Sequence, residues 1–199
     1  MKQLVLGKGK ALVIVAHPDD ETIWMGGVIL ANPDVSWTIV SLCRKDDPDR
    51  SPKFLKAAKA YRAKALISDL EDEGRMSLGN SIREIAKRTR RMLENRKFDY
   101  IFTHGENGEY GHPRHIGVHR AAKSMILSGE LSSRRCYLFN YMYDERRRIA
   151  VPRTGATFCF KLPRKIFQKK RTMITQLYGF SPRSFENRSA GKLETFSEL

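Results

Sequence analysis

Apolar residues in this chain come in short runs. Four of them, Ala11–Ala16, Trp37–Cys43, Tyr100–His104 and Arg135–Tyr141, have the length and content of buried strands. Between the runs, apolar positions recur at helical spacing. Glu21–Ala31 is the first such segment. Pro52–Ser68 follows, with Ala57, Ala58, Ala60, Ala63 and Leu66 in register. Ser81–Arg96 puts Ile82, Ile85, Ala86, Met92 and Leu93 on one side, and Ser81 with Glu84 makes a capping box. Pro113–Leu127 opens on a proline, which the first helical turn tolerates. From Pro163 to about Tyr178 the pattern is helical again; the polar remainder, the last ~18 residues, reads as a loosely ordered tail. Strands alternating with helices predict an α/β fold with a mostly parallel sheet. The length, 199 residues, predicts a single domain spanning 1–199.

Two polar clusters stand where strands end. Ala16-His17-Pro18-Asp19-Asp20-Glu21 follows the first apolar run, and Tyr110-Gly111-His112-Pro113-Arg114-His115 follows the third. In open α/β sheets ligands bind beyond the carboxyl ends of strands, where the strand order reverses. If these two strands flank that point, both clusters meet in one crevice.

The residue types suit a hydrolytic metal site. Such a site takes about three His or carboxylate ligands and leaves one position open. His17 and Asp20 lie across a turn stiffened by Pro18, so both could reach one ion, and His115 could supply a third ligand. Asp19 is then free to serve as general base. His112 could donate to the oxyanion, with help from the Tyr110 hydroxyl. Zinc and iron(II) both accept this ligand set. His104 is placed to line the pocket, and His119 to support it. Glu21 either holds a ligand histidine or favours the helix N-terminus. Trp24 and Met25 read as core. Gly26-Gly27 lacks the pattern of a phosphate loop and reads as a close-packing contact.

The two clusters resemble the motifs of the LmbE-like, or PIG-L, family of zinc-dependent N-acetylglucosaminide deacetylases. The resemblance covers roughly residues 10–125 in outline. It implies a Rossmann-like three-layer α/β fold with a mostly parallel central sheet. It implies His17, Asp20 and His115 as zinc ligands, Asp19 as general base, and His112 as the imidazole that stabilises the oxyanion or protonates the leaving amine. Tyr110 matches a tyrosine that contacts the reacting carbonyl. The implied reaction removes an N-acetyl group from a GlcNAc-type sugar conjugate, releasing acetate and a free amine. Many members carry Asp where this chain has Arg114, an Asp that orients the preceding histidine. Members also often carry Arg then Glu where this chain reads Arg50-Ser51-Pro52-Lys53, so Arg50 or Lys53 is expected to meet the sugar.

Charge adds a partner class. Lys and Arg number 37 and Asp and Glu 22, a net charge of +15. Such a field draws anions: a phosphorylated small molecule, an acidic membrane surface or nucleic acid. With the site intact, a sugar conjugate bearing an anionic group is favoured over nucleic acid, and peripheral membrane contact is compatible with it. The alternatives are a metal-dependent hydrolase of another amide or ester, or a basic binding protein for nucleic acid or anionic glycan with a vestigial site. Cys43, Cys136 and Cys159 lack metal-ligand spacing. With no signal-peptide pattern at the N-terminus, they suggest a reducing, cytoplasmic setting.

Overall fold

A computed structural model describes all 199 residues. The strands are β1 (Lys2–Gln3), β2 (Gly9–Val15), β3 (Val35–Cys43), β4 (Lys64–Leu70), β5 (Lys97–Thr103), β6 (Ser132–Phe139), β7 (Tyr141–Asp144), β8 (Ile149–Pro152), β9 (Phe158–Lys161) and β10 (Leu193–Glu198). The helices are α1 (Asp20–Ala31), α2 (Arg50–Tyr61), α3 (Leu78–Met92), the single turn α4 (Gly108–Gly111), α5 (Pro113–Leu127), α6 (Arg164–Thr172) and α7 (Phe185–Ser189). A π-helical turn, Met173–Leu177, extends α6.

Eight strands form one sheet in the order β1-β9-β10-β6-β5-β2-β3-β4. From β6 to β4 all neighbours run parallel. β10 is antiparallel to both β6 and β9. Successive residues of β2 point to opposite faces. Ala11, Val13 and Val15 pack with Trp24, Phe54 and Ile174. Leu12, Ile14 and Ala16 pack with Ile85, Val118 and Ala121. The sheet is therefore the middle of three layers, as expected. The strand order reverses between β2 and β5, and both polar clusters leave the carboxyl ends of those two strands.

Three expectations need correction. The helix expected over Pro52–Ser68 stops at Tyr61, and Lys64–Leu70 is the edge strand β4. Arg62 caps the helix at φ 57, so no glycine or proline marks the stop. The cap of the next helix is Ser77, whose Oγ accepts from Asn80 N, not Ser81. Ser81 is buried inside α3 and donates to the Leu78 carbonyl at 2.7 Å. The tail expected to be loose holds α7 and β10, and β10 lies between β6 and β9. Its sequence looks polar because Glu194 and Thr195 are buried there with partners of their own.

No helix is long and apolar enough to cross a membrane.

Candidate active site

His17 follows β2 directly, and Asp20 opens α1. His115 sits in the first turn of α5, and His112 caps that helix. These elements bring three donor atoms together. His17 Nδ1 is 3.2 Å from His115 Nε2 and 3.3 Å from Asp20 Oδ2. His115 Nε2 is 3.4 Å from the same oxygen. Three ligands at ~2.05 Å around a tetrahedral ion stand about 3.3 Å apart, so the set fits a zinc-sized cation without rearrangement. Other groupings of close donors share these residues: His17 with His112 and His115, Asp20 with His104 and His115, and His17 with Cys43 and Asp72.

Each histidine of the triangle has a carboxylate behind it. Glu109, fully buried, places Oε2 2.6 Å from His115 Nδ1. Asp72 places Oδ1 3.0 Å from His17 Nε2. That pair is off the line of a good hydrogen bond, and neither buried atom has another partner. Such carboxylates fix the tautomer and aim of metal-binding histidines. Burial works against a charge on His17, yet Asp20 and Asp72 raise its pKa to about 10. A cation arriving there displaces that proton. Asp20 is held twice more, by the Trp24 indole on Oδ1 at 3.0 Å and by the His17 N–H on Oδ2 at 2.8 Å.

His104 belongs to the support. Its Nδ1 lies 2.7 Å from Glu109 Oε2, and its ring stacks on His115 at 3.9 Å. Burial opposes a charge on the ring, while Glu109 and Asp20 draw its pKa up to about 9. Against that pull, the Ala16 N–H aimed at its Nε2 at 3.0 Å needs a lone pair there, a contact that favours the neutral ring with its proton on Nδ1. His119 lies behind, with Nδ1 3.0 Å from the His104 carbonyl.

Asp19 has φ 105, a conformation costly for a residue with a Cβ. Glu21 secures it: its Oε2 accepts the Asp19 N–H at 3.1 Å, and its Oε1 takes the hydroxyls of Thr22 and Tyr178. Glu21 thus supports the Asp19 turn rather than a histidine. The Asp19 carboxylate pairs with Arg50. Burial, then the neighbouring Asp20, holds its pKa well above the usual carboxylate range, with Arg50 and His17 pulling the other way.

His112 Nδ1 accepts the Arg114 N–H at 3.2 Å, which leaves the ring proton on Nε2. Burial, then His115 and His17, push its pKa down to about 4, so it is a neutral donor at pH 7. The Arg114 side chain turns away. It is buried and bonds the Glu71 carboxylate at 2.6 Å and the Glu71 and Met76 carbonyls, pinning the loop that carries Asp72. Tyr110 keeps its proton, since burial and the nearby carboxylates drive its pKa far up.

His17, Asp19, Asp20, Asp72, Tyr110 and His112 line a cleft of about 300 Å³, with Arg44, Arg50, Asp47, Phe185 and Glu186 also on its walls. Lys53 does not reach it and pairs with Asp49 at 2.7 Å. Sequence reasoning missed Glu109, Asp72 and Phe185. Glu109 stands immediately before the second motif, and only its place beside Tyr110 could have drawn attention to it. Asp72 was hidden by the helix expected over β4. Nothing in the local pattern around Phe185 marks it.

A Rossmann-like α/β domain with convergent His and Asp donors at its switch point defines the class. The chain belongs to the PIG-L family, described as GlcNAc-PI de-N-acetylase, which it matches over residues 12–126. Among curated relatives, a 1D-myo-inositol 2-acetamido-2-deoxy-alpha-D-glucopyranoside deacetylase of Corynebacterium diphtheriae is 27% identical, across 55% of this chain and 50% of the relative. The chain spans about half the length of the curated relatives it matches. Two solved structures show the fold. The 4-carboxy-2-hydroxymuconate hydratase of Pseudomonas putida superposes with a TM-score of 0.67 at 16% identity, covering 97% of this chain and 96% of that one. The N,N'-diacetylchitobiose deacetylase of Pyrococcus horikoshii gives 0.64 at 15% identity, covering 96% and 83%.

Proposed function

We propose that the protein is a metal-dependent N-deacetylase of a GlcNAc-type sugar conjugate. The observation that carries this is the triangle of His17 Nδ1, Asp20 Oδ2 and His115 Nε2, with edges of 3.2–3.4 Å, at the foot of a cleft that also holds Asp19. A zinc or iron(II) ion in the triangle would acidify a bound water and polarise the acetyl carbonyl. Asp19, a cleft-lining carboxylate held by Arg50, takes the proton of the attacking water. The oxyanion that forms accepts the Nε2–H of His112, with the protonated Tyr110 hydroxyl on the same wall. With His112 already neutral, Asp19 is the group that passes the proton to the departing nitrogen. The C–N bond breaks, and acetate and a free amine leave.

The substrate's anionic group is met outside the cleft. The cleft walls carry Asp19, Asp20, Asp47, Asp72 and Glu186 against Arg44 and Arg50, so the positive excess lies on the outer surface. Turnover of phosphorylated GlcNAc conjugates should then exceed that of neutral ones and fall with added salt. Faster turnover of the neutral compound with no salt effect would remove the anionic group from the proposal. Cys43, Cys136 and Cys159 are all free thiols, which supports a reducing, cytoplasmic setting.

The deciding experiment measures bound metal and acetate release for the wild type beside His115→Ala. About one zinc or iron per chain is expected, lost in the variant together with acetate release. Metal binding with turnover of another amide or ester, and no acetate, would keep the site and change the reaction. Absence of metal from the reconstituted wild type would overturn the function.

A further inference from the structure

Helix α1, which delivers Asp20, is gripped in its middle by side chains from outside the helix. In a helix the N–H groups of Gly27 and Val28 face the carbonyls of Ile23 and Trp24. Here all four groups have side-chain partners. Gly27 N–H and Val28 N–H donate to the two oxygens of Glu194 at 2.7 and 2.8 Å. The Ile23 carbonyl accepts Lys170 Nζ at 2.8 Å, and the Trp24 carbonyl accepts the Tyr141 hydroxyl at 3.0 Å. Lys170 and Glu194 are bonded to each other at 2.6 Å and are fully buried.

A buried ion pair is by itself weak evidence of stabilisation. Taking a lysine and a glutamate out of water costs as much as their attraction returns, and an apolar pair of similar volume commonly does as well or better. Burial is the main cause of the shifts on both groups, lowering the pKa of Lys170 and raising that of Glu194. The position of the pair is more informative. Trp24, whose carbonyl Tyr141 holds, is the residue whose indole fixes Asp20 Oδ1. The Tyr141 ring also packs on the Trp24 ring at 5.0 Å. Residues Ile23–Val28 of α1, just past the turn that carries Asp20, are thus gripped from α6, β7 and β10, and all three grips lie outside residues 12–126.

We propose that Lys170, Glu194 and Tyr141 are positioning residues that set the first turn of α1 so that Asp20 Oδ2 faces His17 and His115, an inference that rests on the metal site proposed above. Without these bonds Trp24 shifts, and Asp20 leaves the triangle.

The test compares wild type with the volume-matched double variant Lys170→Met/Glu194→Met and with Tyr141→Phe. Zinc affinity is measured by chelator competition, the visible spectrum of the cobalt(II) form is recorded, and KM and kcat are determined separately. The double variant should stay folded by circular dichroism, bind zinc about 10- to 100-fold more weakly, and show an altered cobalt spectrum. Its kcat should fall with KM little changed. Tyr141→Phe, which removes one hydroxyl, should do the same to a smaller extent. A folded double variant with zinc affinity, cobalt spectrum and kcat within twofold of wild type would show a purely structural pair and overturn the proposal. If the double variant does not fold, wild-type values for Tyr141→Phe overturn it. Failure of the wild type itself to bind either metal is a different result and overturns the metal site as well.

Discussion

Replacing Glu109 by Gln tests the centre of the site with the smallest change of shape. The carboxylate makes three contacts: Oε2 lies 2.6 Å from His115 Nδ1 and 2.7 Å from His104 Nδ1, and Oε1 accepts the Gly105 N–H at 2.7 Å. An amide keeps one acceptor oxygen and turns the other position into a donor. With its oxygen kept on Gly105, the new NH2 group faces two ring N–H groups. His115 can relieve this only by moving its proton to Nε2, which removes the lone pair that points into the triangle. Loss of such a supporting carboxylate costs about 10- to 100-fold in metal affinity, or about 1.4–2.7 kcal/mol. Zinc affinity is read by competition with a chromogenic chelator, and circular dichroism checks the fold. A folded variant that binds zinc within threefold of wild type would refute the role given to Glu109 and the tautomer given to His115.

Asp19→Asn removes the proton acceptor and keeps a side chain that tolerates positive φ. Acetate release should fall by about 10²- to 10⁴-fold with zinc content unchanged, and a fall under tenfold would exclude Asp19 as base. Gly27→Ala puts a methyl 2.5 Å from the buried Leu162 side chain. Overpacking of about 1–3 kcal/mol exceeds the 0.5–1 kcal/mol that alanine returns in a helix, so urea unfolding should show net destabilisation. A more stable variant would mean that Leu162 yields freely. In the native protein a thiol reagent near pH 8 should reach only Cys159, since Cys43 and Cys136 are buried and burial pushes Cys136 up to about 12. All three should react in denaturant; fast native reaction of Cys136 would contradict its burial.

What the sequence revealed and what it hid follow from the reach of each signal. The four central strands and α5 show as local apolar patterns, and their chain order places both motifs at the β2/β5 switch point. His17, Asp20 and His115 are visible because their chemistry is concentrated in two short motifs. β4 was unreadable because Arg62 takes a left-handed conformation that residue type does not announce, and the apolar spacing runs on through it. β10 was unreadable for a different reason: Glu194 looks solvent-exposed until Lys170, 24 residues earlier, is folded against it. Asp72 and Glu109 carry no mark of their own, since a carboxylate that steadies a histidine differs from any other only in what stands beside it. The departure at Arg114 was legible as a departure, but its resolution was not. His112 is oriented by a backbone N–H, and the guanidinium is employed elsewhere.

The place of β10 in the sheet has a consequence for biosynthesis. It is the only bridge between β6 and the pair β9 and β1. As the chain leaves the ribosome, β2 to β6 can assemble in order, but β6 keeps an open edge until residues 193–198 have been made. The strand at Lys2–Gln3 waits equally long, because its partner β9 joins the sheet only through β10. Glu194 arrives in that same strand, so the Gly27 and Val28 N–H groups of α1 receive their carboxylate at the moment the sheet closes. Nascent chains halted before residue 193 should therefore expose a strand edge, engage chaperones and leave α1 without its Glu194 contacts, all from the same missing segment.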